Sequence, residues 1–340
     1  MARKPVDEAL FTTESFIKRI ENPVLTRQDC PYNAALTFNA GVVKKDGVYI
    51  MLFRNDYGDY EKQRLDGTHI GLAKSDDGLH FTVDPEVKFA ISDGEIWRVY
   101  DPRVSFLEGM EGKAVVTCAV DTHHGLRGGI AVTEDFKTYE FISLSAPDNR
   151  NMVLFPEKIR GKYLRLERPM PVYSRGGDRF DLWLSESYDL VYWGKSSLVL
   201  AVEDIPYAND KIGPGAPPLK TPYGWLVLFH AVDRDDARGK NGWEAKWQKR
   251  YTIGAMLLDL DNPARVIGVS ERPIMVPEGK DETEEGFRTN VLFPCGATLE
   301  DGGETVRIYY GAADTIVKAA TAPLKDLIAV CTKKVEHINY

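Results

Sequence analysis

Asp101 stands in the run Trp97-Arg98-Val99-Tyr100-Asp101-Pro102-Arg103, a carboxylate among aromatic and cationic side chains at the head of an apolar stretch. Desolvation in such surroundings raises a carboxyl pKa and suits the group to general-acid work. The same local sequence also reads as an Asx turn ahead of Pro102. Asp314, in Tyr309-Tyr310-Gly311-Ala312-Ala313-Asp314, has the same two readings: a partner for a substrate hydroxyl, or a turn cap. The cations are more telling. Asn149-Arg150-Asn151, Arg168 in Leu166-Glu167-Arg168-Pro169, Lys211 in Asn209-Asp210-Lys211-Ile212-Gly213 and His230 after Phe229 are far apart in the chain. Gathered at one place they would recognise a small dianion such as orthophosphate, Arg supplying paired donors and Lys a point charge. Taken singly, each reads more readily as a surface ion pair; joint placement is what favours function.

Other constellations are weaker. Gly213-Pro214-Gly215 lacks the strand-glycine-helix setting of a dinucleotide site. His123-His124 has no spaced third ligand, so no metal site is expected. Cys30, Cys118, Cys295 and Cys331 contain no CxxC pair and read as reduced thiols. Two charge-rich segments, Tyr60 to Arg64 and Asp233 to Arg250, read as solvated loops long enough to rim a channel. Trp243 and Trp247 in the second are candidates for stacking on sugar rings, with core packing an equal alternative.

The elements that must carry these residues are strands. Of the 340 residues, 43% are hydrophobic and 28% charged, enough apolar material for a large core under an ordinary soluble surface. The net charge of −8, from 43 Lys and Arg against 51 Asp and Glu, disfavours a nucleic-acid binder. No run approaches the roughly 18 apolar residues of a membrane span, and Val6-Asp7-Glu8 sits where a signal peptide needs its apolar run. The expectation is a cytoplasmic enzyme.

One phrase recurs: a polar or Pro-bearing opening, a strand, a turn, a second strand ending in a polar side chain, and a third strand running into an Asp-rich turn. Its openings fall near Asn39, Asp101, Pro156, Gly215 and Pro294, at intervals of 55 to 79 residues. Each interval is long enough for a four-stranded antiparallel sheet, and five such sheets arranged radially make an all-β, five-bladed β-propeller. Residues 1–38 read as an N-terminal arm, with a weak amphipathic helix over Glu14 to Ile20 and then a strand that completes the last blade. Leu324 to Ile328 reads as a short terminal helix. No linker composition interrupts the chain, so residues 1–340 are expected to form one domain. Equivalent positions of successive repeats then converge, which nominates Asn39, Arg54, Asp101, Arg168, His230 and Asp314.

At these residues the chain resembles glycoside hydrolase family 130, the β-mannoside phosphorylases and related β-mannosidases. The likeness rests on Phe38-Asn39-Ala40-Gly41, Tyr100-Asp101-Pro102-Arg103-Val104, Asn149-Arg150-Asn151 with Leu154-Phe155-Pro156-Glu157-Lys158-Ile159, Leu166-Glu167-Arg168-Pro169, Lys211-Ile212-Gly213, Phe229-His230 and Tyr309 to Asp314. It implies a five-bladed propeller and inverting phosphorolysis, in which phosphate attacks the anomeric carbon of a β-mannosyl unit to give α-mannose 1-phosphate. By that resemblance Asp101 is the lone catalytic acid, passing its proton through the mannosyl 3-hydroxyl. Arg150, Asn151, Arg168, Lys211 and His230 match phosphate-contacting positions. Asn39, Arg54 and Asp314 match the mannosyl pocket, and Tyr100 flanks the acid.

No cofactor is implied, phosphate being a co-substrate. An inverting hydrolase needs a second carboxylate to activate water, whereas phosphate is already anionic; the retained Arg150, Arg168 and Lys211 therefore speak for phosphorolysis. Tyr100-Asp101-Pro102 with Arg150 resembles the β-1,4 branch. The stretches Arg168 to Gly177 and Ala208 to Lys211 resemble the mannosylglucose phosphorylases, a mannooligosaccharide phosphorylase, a β-mannosidase and a noncatalytic carbohydrate-binding propeller being the alternatives. Family members often assemble as homo-oligomers, which composition does not show here.

Overall fold

A computed structural model describes residues 5–170, 179–239, 242–244 and 247–335. The chain forms five antiparallel sheets arranged as the blades of a propeller. Blade I runs Leu36–Lys45, Val48–Asp59, Arg64–Ser75 and Thr82–Phe89 from the axis outward. Blade II has Ile96–Ser105, Ala114–Thr122, Gly125–Thr133 and Glu140–Leu144; blade III has Asn149–Leu154, Tyr163–Pro169, Leu182–Ser187 and Gly194–Leu200. Blade IV has Lys211–Pro214, Gly224–Arg234, Lys249–Leu258 and Val266–Val269, with the short Leu219–Thr221 also paired to its second strand. Blade V takes three strands, Leu292–Glu300, Thr305–Ala312 and Ile316–Pro323, from late in the chain, and its fourth, Lys18–Arg19, from the beginning.

Local chemistry sets this pattern. Asp46 and Gly47 both have positive φ, 51° and 83°, which is the backbone of a two-residue hairpin turn between the first two strands of blade I. The recurring Asp-rich turns lie between third and fourth strands. Asp77 Oδ1 accepts from the Leu79 and His80 N–H groups, and Asp135, Asp189 and Asp259 repeat the arrangement in blades II, III and IV. The inner strands of each blade are buried on both faces, which is why they read as near-continuous apolar runs, while the outermost strands keep exposed positions. Leu52, Leu72, Val104 and Val116 fill the layer between blades I and II. Leu166, Leu184, Trp225 and Phe229 do so between III and IV, and Val42, Phe53, Tyr309 and Val317 between V and I.

Two expectations need correction. No helix forms over Glu14 to Ile20; a turn closed by the Ile17 N–H donating to Glu14 O leads into a short strand, Lys18–Arg19 pairing with Thr321 and Ala320 and the Ile20 N–H donating to Ala319 O. The exposed edge of Ile316–Pro323 offers backbone partners that outweigh a weak helical preference, and Phe16 and Ile17 still reach the apolar layer from the turn that precedes the strand. The inner strands also begin two to seven residues before the expected openings. Blade III shows the reason: the polar Asn149-Arg150-Asn151 opens its inner strand, whereas Phe155-Pro156 lies beyond it. The terminal helix is present as Leu324–Ala329.

Candidate active site

The inner strands bring three polar side chains to the axis by one device. Register slips between Phe38 and Gly41, between Tyr100 and Arg103 and between Arg150 and Val153, leaving bulges in blades I, II and III. Asn39, Asp101 and Asn151 sit in these bulges with φ of 48°, 53° and 58°. A bulge re-aims one side chain while the flanking pairs hold the strand, and Asn and Asp tolerate the left-handed backbone better than most residues. The equivalent of Asn39 and Asp101 in blade III is thus Asn151, five residues before the opening read from the sequence. Gly41 permits the close approach of blades I and II, since a Cβ there would lie 2.7 Å from Pro102 O.

Asp101 is buried and its contacts are cationic or amide. Asn39 Nδ2 donates to Asp101 Oδ1 at 2.9 Å and Arg54 Nη1 at 3.4 Å; among the described residues no hydrogen bond falls on Oδ2. Arg103 Nη1 donates to the Asp101 carbonyl at 2.9 Å and its Nε to Gly215 O at 3.1 Å, tying the bulge to blade IV. Burial pushes the Asp101 carboxyl up, but Arg54, Arg103, the Asn39 hydrogen bond and Arg150 together outweigh it and hold the group below the ordinary carboxylate value. This corrects the expectation of a desolvated, raised acid: with no anion bound, the carboxylate is charged. Arg54 is itself fixed by Asp56, through Nε to Oδ1 at 2.8 Å and Nη2 to Oδ2 at 2.7 Å, and packs over the rings of Phe38 and Tyr100. Tyr100 donates to Asp121 Oδ1 at 3.0 Å, and Arg98 holds the other oxygen of that carboxylate.

These groups open on a cavity of about 830 Å3, lined also by Arg150, Asn151, Lys211, Tyr251, Phe293 and Asp314. Asp314 accepts from Arg288 Nη1 at 3.2 Å. Burial raises its carboxyl, Arg288 and Arg54 opposing only in part, so Asp314 and Asp101 are pushed in opposite directions. Trp247 forms part of the wall, its Nε1 donating to Thr289 O at 2.9 Å, whereas Trp243 packs against Tyr60 and Phe287. The two charge-rich segments therefore meet across the rim, and both tryptophans pack against protein side chains, Trp247 on Tyr251 with Arg288 over its ring.

Arg168 and His230 lie just behind the wall, 1% and 0% exposed, with Arg168 Nη1 3.2 Å from His230 Nε2. Arg168 is the cross-strand neighbour of Arg150, and His230 that of Gly213. Among the described residues none of Arg150, Arg168 and Lys211 has a carboxylate within ion-pairing distance, and Arg150 Nε and Arg168 Nε are buried without partners. Burial, reinforced by Arg150, pushes Arg168 down to about 9. Burial and then Arg168 push Lys211 well below its ordinary value; the same causes keep His230 neutral. An electropositive wall of this kind is completed by an anion. Gly213 is the spacer that lets His230 and Arg168 approach: a Cβ there would lie 2.6 Å from the His230 ring and 3.2 Å from Arg168 Cδ. Gly213→Ala is expected to cost about 1–3 kcal/mol in urea unfolding; an unchanged midpoint and slope would show that the pair relocates freely.

Sequence reasoning missed Asp56, Asp121 and Arg288, which orient Arg54, Tyr100 and Asp314. Asp56 was findable two residues beyond Arg54 on the same strand, and Asp121 as the polar end of the second strand of its repeat; Arg288 comes from a partner distant in the chain and had no local signal. Of the stretch Arg168 to Gly177, residues 171–177 lie outside the described residues.

A family model described as beta-1,4-mannooligosaccharide phosphorylase matches residues 11–333. The chain is 32% identical over 321 residues to the beta-1,4-mannooligosaccharide phosphorylase of Ruminococcus albus, covering 90% of this chain and 88% of that one. It is 30% identical over 317 residues to the 1,2-beta-oligomannan phosphorylase of Thermoanaerobacter sp. strain X514, covering 92% and 98%. It is 28% identical over 312 residues to the 4-O-beta-D-mannosyl-D-glucose phosphorylase of Bacteroides fragilis, covering 87% and 75%. Among solved structures, the beta-1,2-mannobiose phosphorylase of Listeria innocua in complex with beta-1,2-mannobiose superposes with a TM-score of 0.77 at 26% identity, covering 93% of this chain and 99% of that one. Five blades around an electropositive pocket, and a family match running almost the full length, agree: the chain belongs to glycoside hydrolase family 130, the mannoside phosphorylase family.

Proposed function

We propose that this protein catalyses inverting phosphorolysis of β-1,4-mannosides, β-1,4-mannosylglucose foremost, giving α-mannose 1-phosphate and the free acceptor sugar without a cofactor. The observation that carries the reading is the buried wall of Arg150, Arg168 and Lys211, which has no carboxylate partner among the described residues. Phosphate takes donors from Arg150, Asn151 and Lys211, while Arg168 and the neutral His230 support the wall from behind. Asn39, Arg54, Tyr100 and Asp314 hold the mannosyl unit, and Asp101 is the acid.

The remaining carboxylates of the pocket support phosphate rather than water as nucleophile. Asp56 is clamped by Arg54 and by Thr68 Oγ1 at 2.6 Å, Asp66 by Arg64, and Asp314 by Arg288, so each is occupied by an arginine of its own. An inverting hydrolase needs one of them as a base; a bound phosphate needs none. Phosphate also resolves the charged state of Asp101. The dianion beside Arg150 and Lys211 offsets the positive field that depresses the Asp101 carboxyl, letting it take up the proton that it returns to the leaving oxygen through the mannosyl 3-hydroxyl. The test is direct: incubation with β-1,4-mannosylglucose should release mannose 1-phosphate in proportion to added phosphate. Release of free mannose at a rate indifferent to phosphate would reject the proposal. A longer β-1,4-mannooligosaccharide acceptor is the second reading, favoured by the cavity volume of about 830 Å3.

A further inference from the structure

The inner strand of blade II carries two irregularities, and only the one at Asp101 serves the chemistry above. The other falls between the pairs Ile96↔Thr122 and Arg98↔Asp121, making Trp97 the extra residue. Trp97 is 59% exposed and lines the same cavity as Asp101. Of the large hydrophobic side chains exposed among the described residues, only Trp97 and Tyr57 line it. An indole left open to water costs apolar hydration with no gain in folding, so its retention on a cavity wall calls for an occupant. The ring is backed by His123, parallel to within 8° at 6.3 Å between centroids. Beside it Arg98 is held by Asp121 at 2.9 and 2.5 Å, a fixed polar group next to an apolar face. Flat aromatic surface with an oriented guanidinium alongside is the chemistry that binds a sugar ring, whose axial C–H face is apolar and whose edge is hydroxylated.

Its place along the strand identifies which sugar. Four residues at about 3.3 Å each put Trp97 roughly 13 Å from Asp101. That is too far for the unit attached at the reacting carbon and within reach of an acceptor unit beyond the first. Tyr57, Asp66 and Thr68 of blade I line the cavity with it.

We propose that Trp97, presented by the second bulge of the blade II inner strand and backed by His123, is a distal acceptor platform that stacks on the second acceptor sugar of a β-1,4-mannooligosaccharide. The proposal rests on the second reading above, a β-1,4-mannooligosaccharide acceptor, and deepens it: Trp97 sets how much more tightly a chain longer than a disaccharide is held.

Calorimetry on the full chain in phosphate-free buffer, where no turnover occurs, compares β-1,4-mannobiose with β-1,4-mannotriose for wild type, Trp97→Ala and Trp97→Phe. Expected is tighter wild-type binding of the trisaccharide, with about a tenfold loss of that affinity in Trp97→Ala. Disaccharide affinity should stay within about twofold, and Trp97→Phe should keep most of the preference. Equal wild-type affinity for both sugars, an unchanged trisaccharide affinity in Trp97→Ala, or equal weakening of both sugars would each overturn the platform. Should the wild type bind these sugars yet release no mannose 1-phosphate when phosphate is added, the catalytic reading fails while the binding comparison still decides the role of Trp97.

Discussion

Asp101→Asn lowers kcat for phosphorolysis by about 10²–10⁴-fold, the range a positioned general acid contributes, and leaves the protein folded. The amide keeps the volume of the side chain and its left-handed bulge, a conformation that Asn accepts as readily as Asp. Arg54 is not stranded by the change, because Asp56 holds it through two short hydrogen bonds. What disappears is the proton that must reach the leaving oxygen, so the loss falls on kcat and little on the sugar KM. The wild-type pH profile carries a second sign of the same group. Since Arg54, Arg103, Asn39 and Arg150 hold the free carboxyl below the ordinary carboxylate value, its protonated form is already scarce at neutral pH and activity declines as pH rises from the acid side. Saturating phosphate, by offsetting the positive field, moves that decline to higher pH. Near wild-type turnover in Asp101→Asn, or an alkaline limb indifferent to phosphate, would show that the proton comes from elsewhere.

Lys211→Met raises the phosphate KM by about 10- to 150-fold, corresponding to about 1.5–3 kcal/mol for a charge-assisted hydrogen bond. Sugar binding without phosphate changes far less. In stability the expected sign is opposite: methionine fills a similar volume and removes a buried charge facing Arg168, Lys249 and Arg150, so the phosphate-free variant melts no lower than wild type. Linkage gives the pH dependence. The folded Lys211 value lies well below its ordinary one, so the unfolded chain binds the proton more tightly and wild-type stability from this group rises with pH across the interval between the two values. The advantage of Lys211→Met therefore shrinks as pH climbs toward the ordinary lysine value. Melting curves across that interval, with and without phosphate, read both effects. A variant that melts below wild type and keeps its phosphate KM would mean that Lys211 is a structural cation.

The repeat and most of the pocket are legible in the linear order of residues. Strand-turn-strand phrases with Asp turns after the third strand of blades I to IV are local chemistry, written in side chains that bond to backbone N–H groups two or three residues away. A radial repeat then converts distant equivalents into neighbours, which is how Asn39, Arg54, Asp101 and Asp314 could be nominated together. Whatever depends on register or on summed charge emerges only when the blades close around the axis. The helix expected over Glu14 to Ile20 gave way to the open edge of blade V, and the blade III equivalent of Asp101 proved to be Asn151. Arg168 and His230 moved behind the wall because Gly213 lets them pack there. The sign of the Asp101 shift reversed because four groups from three blades outweigh burial. A bulge displaces a side chain by one position at the cost of a single ladder pair, and Coulomb sums depend on distances across the axis. Neither leaves a periodic trace in a linear string of residues.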